Sequence, residues 1–260
     1  MKIITLAKNR PDFIKIQYES IKKHIKGDFE FVVYDDSKDG LIKNQCDKVG
    51  VQCVKIQNDG GVPYDPSMTV QFCLREMWQQ LKHDTGMLVY LDSDMFFTRE
   101  IDVLSIMNGY DWAYVPQFRG SVEYPWTGLM FMNMDTLPNK DSICWDIATV
   151  DGQKLDVGGA NAHYIRDNKI KVLQLDMWSV LGVNYYSYNG VDTIDVREQH
   201  LKLEKLVEHF PKPAWVDVFA VKGKPFGEAF VFHYKSGSNY KEFATNEYNR
   251  LKTEAMIKIL

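Results

Sequence analysis

The sequence predicts an α/β fold built on a mainly parallel central sheet, and three observations carry that reading. Short apolar, β-friendly runs alternate with segments of helical spacing through the first half of the chain, the pattern of βαβ units. Three of those runs end in polar or acidic residues, Ala7–Arg10, Asp35–Ser37 and Asp92–Asp94, where open α/β sheets hold their ligands. The stretch Met87–Phe97, MLVYLDSDMFF, drives an all-apolar run straight into Asp92-Ser93-Asp94 and back into apolar residues. A run so short and so apolar reads as a strand buried on both faces.

Each element follows in turn. Lys2–Ala7 is the first strand. Asn9-Arg10-Pro11-Asp12 is helix-start chemistry, since proline fits a first helical turn. From Phe13 to Ile25, residues Phe13, Ile14, Gln17, Tyr18, Ile21 and Ile25 share one helical face. Phe29–Tyr34 is the second strand, Lys38–Lys48 a polar helix or loop, and Val51–Ile56 the third strand. Asn58-Asp59-Gly60-Gly61 is a loop. Thr69–Leu81 reads as a helix burying Phe72, Met77 and Leu81. The second half is less regular: strands at Asp111–Pro116 and Thr127–Met134, a helix start at Gly158–Arg166, and short edge pieces at Leu173–Leu175 and Tyr185–Tyr188. A last strand is expected at Ala229–Tyr234, before a helix-permissive tail.

Composition bounds the function. At 260 residues and 45% hydrophobic content the chain can bury a large core, and one domain over 1–260 is expected. A formal net charge of −4 gives no reason to expect a polyanion-binding surface, and nucleic acid is not an expected partner, although local basic groups could still meet a phosphate. Cys46, Cys53, Cys73 and Cys144 show neither C-x-x-C nor zinc-finger spacing, so reduced thiols are expected. No apolar run reaches the ~18 residues of a membrane span, and the N-terminal apolar stretch is too short for a signal peptide. A soluble, cytoplasmic protein is the expectation.

The chemistry centres on Asp92 and Asp94. On an extended backbone two residues one apart project the same way, and two carboxylates in apolar surroundings are costly unless a positive group neutralises them. A divalent cation is the natural partner; a polar turn closing the strand is the plainer alternative. His233 ends an apolar strand just before Lys235-Ser236-Gly237-Ser238. It is either a satisfied core histidine or a nitrogen ligand to the same cation. Two carboxylates and one imidazole suit Mn²⁺, with Mg²⁺ also open. Lys235, Gly237 and Ser238 would make a diphosphate cradle.

These stretches, Ile3–Pro11, Val32–Gly40 (VVYDDSKDG), Val89–Phe97 and Phe232–Asn239 (FHYKSGSN), resemble the GT-A glycosyltransferases, a fold family that transfers sugar from a nucleotide-diphosphate donor. LDSD is similar to that family's DxD motif. HYKSGSN is similar to the C-terminal arrangement of small glycosyltransferases of large algal DNA viruses. The resemblance covers most of the chain and is strong in those four places. It implies a GT-A, Rossmann-like single domain, with residues 1–97 as the nucleotide-sugar half and 98–260 as the acceptor half carrying the metal and diphosphate loop. Asp94 would bind the metal and serve catalysis through it, while Asp92 would bind it or reach the ribose, with Ser93 between them. His233 would complete the protein ligands. Thr5, Lys8 and Arg10 would lie under the nucleotide, Asp36 would face base or ribose, and Lys235, Gly237 and Ser238 would touch the diphosphate. Lys8 and Arg10 as solvated loop charges, and Asp35 and Asp36 as turn-formers, are the competing readings.

The implied reaction joins a UDP- or GDP-sugar to a hydroxyl of a glycan or other acceptor. Leaving-group charge would be met by the metal and a lysine. An inverting reaction needs a carboxylate base. Asp156, in LDVGGAN, is the first candidate and Glu123 or Asp135 the weaker ones. Asp156 could instead cap the next helix, and a retaining reaction would need no base, so the stereochemistry stays open. Phe118–Gly128 and the aromatics Trp126, Trp178, Tyr185, Tyr186 and Tyr188 are acceptor-lining candidates or ordinary packing. A sugar-nucleotide nucleotidyltransferase and a non-catalytic sugar-binding module are the alternatives.

Overall fold

The computed structural model describes residues 1–57, 66–182, 185–188, 192–195, 216–224 and 228–234. The first half runs β1 (Lys2–Ala7), α1 (Pro11–His24), β2 (Glu30–Asp35), α2 (Leu41–Val49), β3 (Gln52–Lys55), α3 (Pro66–Leu81) and β4 (Met87–Leu91). Pro11 opens α1 in its first turn, and Phe13, Ile14, Gln17, Ser20 and Ile21 form its buried face. Lys38–Lys48, readable as helix or loop, contributes a helix closed at Gly50, whose φ of 78° is left-handed.

Then come β5 (Met95–Phe97), α4 (Val103–Ile106), β6 (Trp112–Arg119), β7 (Val122–Asn133), β8 (Thr149–Val150), β9 (Gln153–Lys154) and α5 (Asn161–Asp167). The last described elements are β10 (Val172–Gly182), β11 (Tyr185–Tyr188), β12 (Asp192–Asp195), β13 (Val216–Val221) and β14 (Val231–Tyr234).

The central layer has the order β3-β2-β1-β4-β7-β6-β10. Neighbours are parallel from β3 to β4 and again between β6 and β10. Within this layer β7 alone runs against the rest. The architecture is thus α/β with a mostly parallel central sheet flanked by helices. Strand alternation divides the core between the two faces. Ile3, Phe31, Val33, Val89 and Leu91 pack with Ile14 and Ile21 of α1 and Ile42 of α2. Ile4, Val32, Leu88 and Tyr90 pack with Leu74, Met77, Trp78 and Leu81 of α3. All five residues of β4 are buried, as a two-sided interior strand requires.

The second half departs from the sequence reading. Leu173–Leu175 is no short edge piece but the start of the long β10, which serves two layers. Val172–Gln174 pairs in parallel with β6, and Leu175–Val180 pairs antiparallel with β13. From there the sheet runs on through β14 to β5. The expected strands at Asp111–Pro116 and Thr127–Met134 are each longer and meet in one hairpin, which takes in Phe118–Gly128. The Asn58–Gly61 loop and the tail beyond Tyr234 lie outside the described residues. All four cysteines are free. Among the described residues no helix is long and apolar enough to cross a membrane.

Candidate functional site

The C-terminal ends of β2, β1 and β4 lie side by side, and chain connections leave β1 toward opposite faces, with α1 and α2 on one and α3 on the other. This is the crevice at which open α/β sheets take their ligands. Asp92–Asp94 fills the β4 corner of it, but not on an extended backbone. The Met95 N–H donates to the Asp92 carbonyl at 3.0 Å, closing a tight turn. Gln17, buried on α1, donates its amide to the carbonyls of both Asp92 and Met95, each at 2.9 Å. The Asp92 N–H donates to the Gly128 carbonyl of β7 at 2.9 Å. A turn therefore aims the two carboxylates, and strand periodicity does not.

The same turn sends the chain into β5, which pairs with β14 and sets His233 opposite Met95. The Tyr234 N–H donates to the Asp94 carbonyl at 2.8 Å. Next door, β13 sets Asp217 opposite His233. The imidazole lies between two carboxylates: Nε2 is 3.5 Å from Asp94 Oδ1, and Nδ1 is 3.1 Å from Asp217 Oδ2. All three residues are buried. Trp126 of β7 stacks on Phe219 at 5.5 Å and tilts against the imidazole at 5.7 Å. His233 is thus a buried histidine whose partners are one acid from the Asp92–Asp94 turn and one from β13.

Electrostatics follow from that packing. Withdrawal from water raises the Asp92 carboxyl to about 7, and the neighbouring Asp94 charge adds to the rise. The charge of His233 and a hydrogen bond from the Tyr90 hydroxyl, 2.9 Å long, act against it. Burial disfavours a charged His233, but Asp94 and Asp217 together outweigh it and raise the imidazole to about 10. In ligand type Asp92, Asp94 and His233 suit a hard divalent cation. Among the described residues, however, no three acidic, histidine or cysteine side chains stand together as a finished cage.

The remaining expected site residues divide. Lys8 pairs with the buried Asp36 at 2.8 Å, tying the end of β1 to that of β2. Asp35 is a turn-former: its carboxylate accepts from the Ser37 N–H at 2.7 Å and lies 3.4 Å from Lys55. Arg10 is not a solvated charge. It is buried, forked onto Asp12 at 2.9 and 2.6 Å, and laid 3.8 Å over the Phe13 ring. Thr5 is fully buried with no hydrogen-bond partner for its hydroxyl among the described residues, and Ser93 is buried within the turn. Lys235, Gly237 and Ser238 lie outside the described residues.

The candidate bases have their own partners. Asp156 is exposed and accepts from the Val157 N–H at 2.8 Å. It does not cap α5, whose N-cap position is Ala160. Glu123 accepts from the Tyr114 hydroxyl at 3.1 Å and the Gln174 amide at 2.9 Å, across three strands. Asp135 accepts from the Gly86 N–H at 2.9 Å, at the far end of β4 from Asp92. Trp178 is buried, and of Tyr185, Tyr186 and Tyr188 only the backbone, in β11, is described.

Two contributors were not picked out from the sequence. Asp217 stands in Val216–Val221, VDVFAV, an apolar run holding a single acid. An acid there demands a partner, and that demand was the available signal. Gln17 was placed on the buried face of its helix, but only the fold reveals that its amide grips the Asp92 turn.

No protein-family model matches the chain, and no curated protein does. Among the solved structures similar in part are two of LgtC. An active-site mutant of LgtC shares 12% identity over 52% of this chain and 58% of its own, with a TM-score of 0.40. The galactosyltransferase LgtC in complex with donor and acceptor sugar analogues shares 11% identity over 67% of this chain and 73% of its own, with a TM-score of 0.42. The chain thus spans a little over half the length of the first. Likeness at this level is partial, and the functional reading rests on the residues themselves.

Proposed function

We propose that this chain is a metal-dependent glycosyltransferase of the GT-A type, moving a sugar from a nucleotide-diphosphate donor to an acceptor hydroxyl. The observation that carries the reading is the Asp92–Asp94 turn at the sheet's switch point, with His233 brought against Asp94 by a strand more than a hundred residues away in sequence. An acidic cluster built from separate elements, in the crevice where this sheet class binds ligands, is costly to a fold that does not use it.

In this reading Asp92, Asp94 and His233 hold Mn²⁺ or Mg²⁺. When bound, the ion neutralises the diphosphate leaving group as its charge develops. Thr5, Lys8, Arg10, Asp36 and Ser93 form the nucleotide side, with Thr5 offering its buried hydroxyl and Lys8 holding Asp36 in place. Lys235, Gly237 and Ser238 meet the diphosphate. Residues 1–97 serve the donor and 98–260 the acceptor, a glycan or other alcohol. Asp156 is the proposed base if configuration inverts; its exposure suits it to an acceptor arriving from solvent.

The test is a thermal-shift panel of UDP, GDP, CMP and dTDP, each with Mn²⁺ and with EDTA. One nucleoside diphosphate should raise Tm in a manner abolished by EDTA, with a shift that grows as the logarithm of its excess over Kd. A shift only with nucleoside triphosphates would favour a nucleotidyltransferase, and none at all a non-catalytic module.

A further inference from the structure

The metal reading leaves Asp217 without a task, although it is the most closely held partner of His233. Asp217 is 2% exposed, and its carboxylate lies 3.1 Å from Nδ1, on the strand directly paired with that of His233. The other ring nitrogen is the one turned toward Asp94. Resting on the function proposed above, we propose that Asp217 is a positioning residue: it holds the Nδ1–H of His233, so that the ring proton a cation displaces is the one on Nε2, on the Asp94 side.

The chemistry is one of proton placement. An imidazole that binds a cation through one nitrogen must carry its proton on the other. A carboxylate only accepts, so Asp217 can satisfy Nδ1 only while Nδ1 keeps its hydrogen. The strand register fixes this geometry without a loop, since β13 and β14 place residues 217 and 233 as a cross-strand pair. Trp126, against the ring, and Phe219, stacked on Trp126, limit its rotation. Partners of this kind, behind a ligating histidine, are typically worth 10–100-fold in metal affinity.

Asp217→Asn keeps the shape and reverses the bond. An amide N–H at that point makes Nδ1 an acceptor and drives the proton to Nε2, where it blocks a cation. Three measurements separate this role from others. Mn²⁺ titration, read by electron paramagnetic resonance on the full chain, should give a Kd weakened about 10–100-fold in Asp217→Asn. In a His233→Ala background, adding Asp217→Asn should change that Kd by less than about twofold, because Asp217 acts through the ring. Long-range ¹⁵N–¹H spectra, with the His233 signals identified by their loss in His233→Ala, should place a proton on Nδ1 in the wild type and remove it in Asp217→Asn.

Additive effects of the two substitutions would overturn the proposal by making Asp217 a direct ligand. Wild-type Mn²⁺ affinity in Asp217→Asn would overturn it as well. If the wild type binds no Mn²⁺, the metal reading fails by itself. The spectra then decide the placement: an unprotonated Nδ1 in the wild type defeats it, and a protonated one that Asp217→Asn strips upholds it.

Discussion

At the scale of the residue, the site is a problem in placing acids where water is scarce. Asp92 and His233 both hold protons more firmly in the folded chain than in the unfolded one, and the consequences have the same sign. The imidazole, raised from 6.5 to about 10, contributes stability that is fully present below pH 6.5 and lost as pH climbs through 10. Asp92, raised from 3.8 to about 7, favours the folded state below pH 3.8, and that contribution is lost as pH rises to 7. Urea unfolding from pH 6.5 to 10 should therefore show falling stability in the wild type and a flatter profile in His233→Gln. An equally steep variant would place the titration elsewhere. Because bound cation must displace these protons, apparent Mn²⁺ affinity should also rise with pH between 6 and 8.

Gly128 makes a second argument at this scale. A Cβ there would lie 2.3 Å from the Trp126 indole, the ring that leans on His233. Gly128→Ala should cost about 1–3 kcal/mol of stability through overpacking. It should also shift the indole's fluorescence, because the ring must move; unchanged stability and emission would mean the strand absorbs the methyl.

At the scale of the element, the turn after β4 depends on a helix well before it in sequence. Gln17 supplies two hydrogen bonds to that turn from the buried face of α1, and Ser20 accepts from the Phe97 N–H at 2.7 Å one helical turn further on. Gln17→Met removes both of these hydrogen bonds, while the Asp92 carbonyl keeps the Met95 N–H, and should cost about 1–3 kcal/mol, at roughly 0.5–1.5 for each bond lost. Gln17→Glu, with a carboxylate set against two carbonyls, should cost more and should recover at low pH as the acid is protonated. Equal Tm values for the two variants would show that the turn does not depend on the amide.

Sequence reading succeeded best with such local elements. Lys2–Ala7 and the run into Leu91 stand where their apolar runs put them, because a strand buried on both faces has few other readings. Periodicity could not reveal that Met95–Phe97 leaves β4 to join another layer, since an apolar run does not announce a turn inside itself. Nor could it show that β10 passes from a parallel to an antiparallel partner, which depends on strands some fifty residues apart.

At the scale of the whole molecule, the fold brings together what the sequence scatters. The C-terminal ends of β1, β2 and β4, with Asp36 and Asp92 just beyond two of them, lie side by side because these strands are neighbours, as strand–helix alternation predicts. His233 and Asp217 arrive through long-range antiparallel pairing, which no local pattern encodes. The acid pair and the histidine are therefore readable as residue types, whereas the turn and the second acid behind the histidine are not.

In the proposed function the Asp92–Asp94 turn holds a cation that assists departure of a nucleoside diphosphate. Its most direct test is release of nucleoside diphosphate from a panel of UDP- and GDP-sugars, with Mn²⁺ or EDTA, by the wild type and by Asp94→Asn. Release is expected from at least one donor class, with a requirement for the metal and a fall of at least two orders of magnitude in a variant that stays folded. Release from no donor, or equal release by Asp94→Asn, would contradict it.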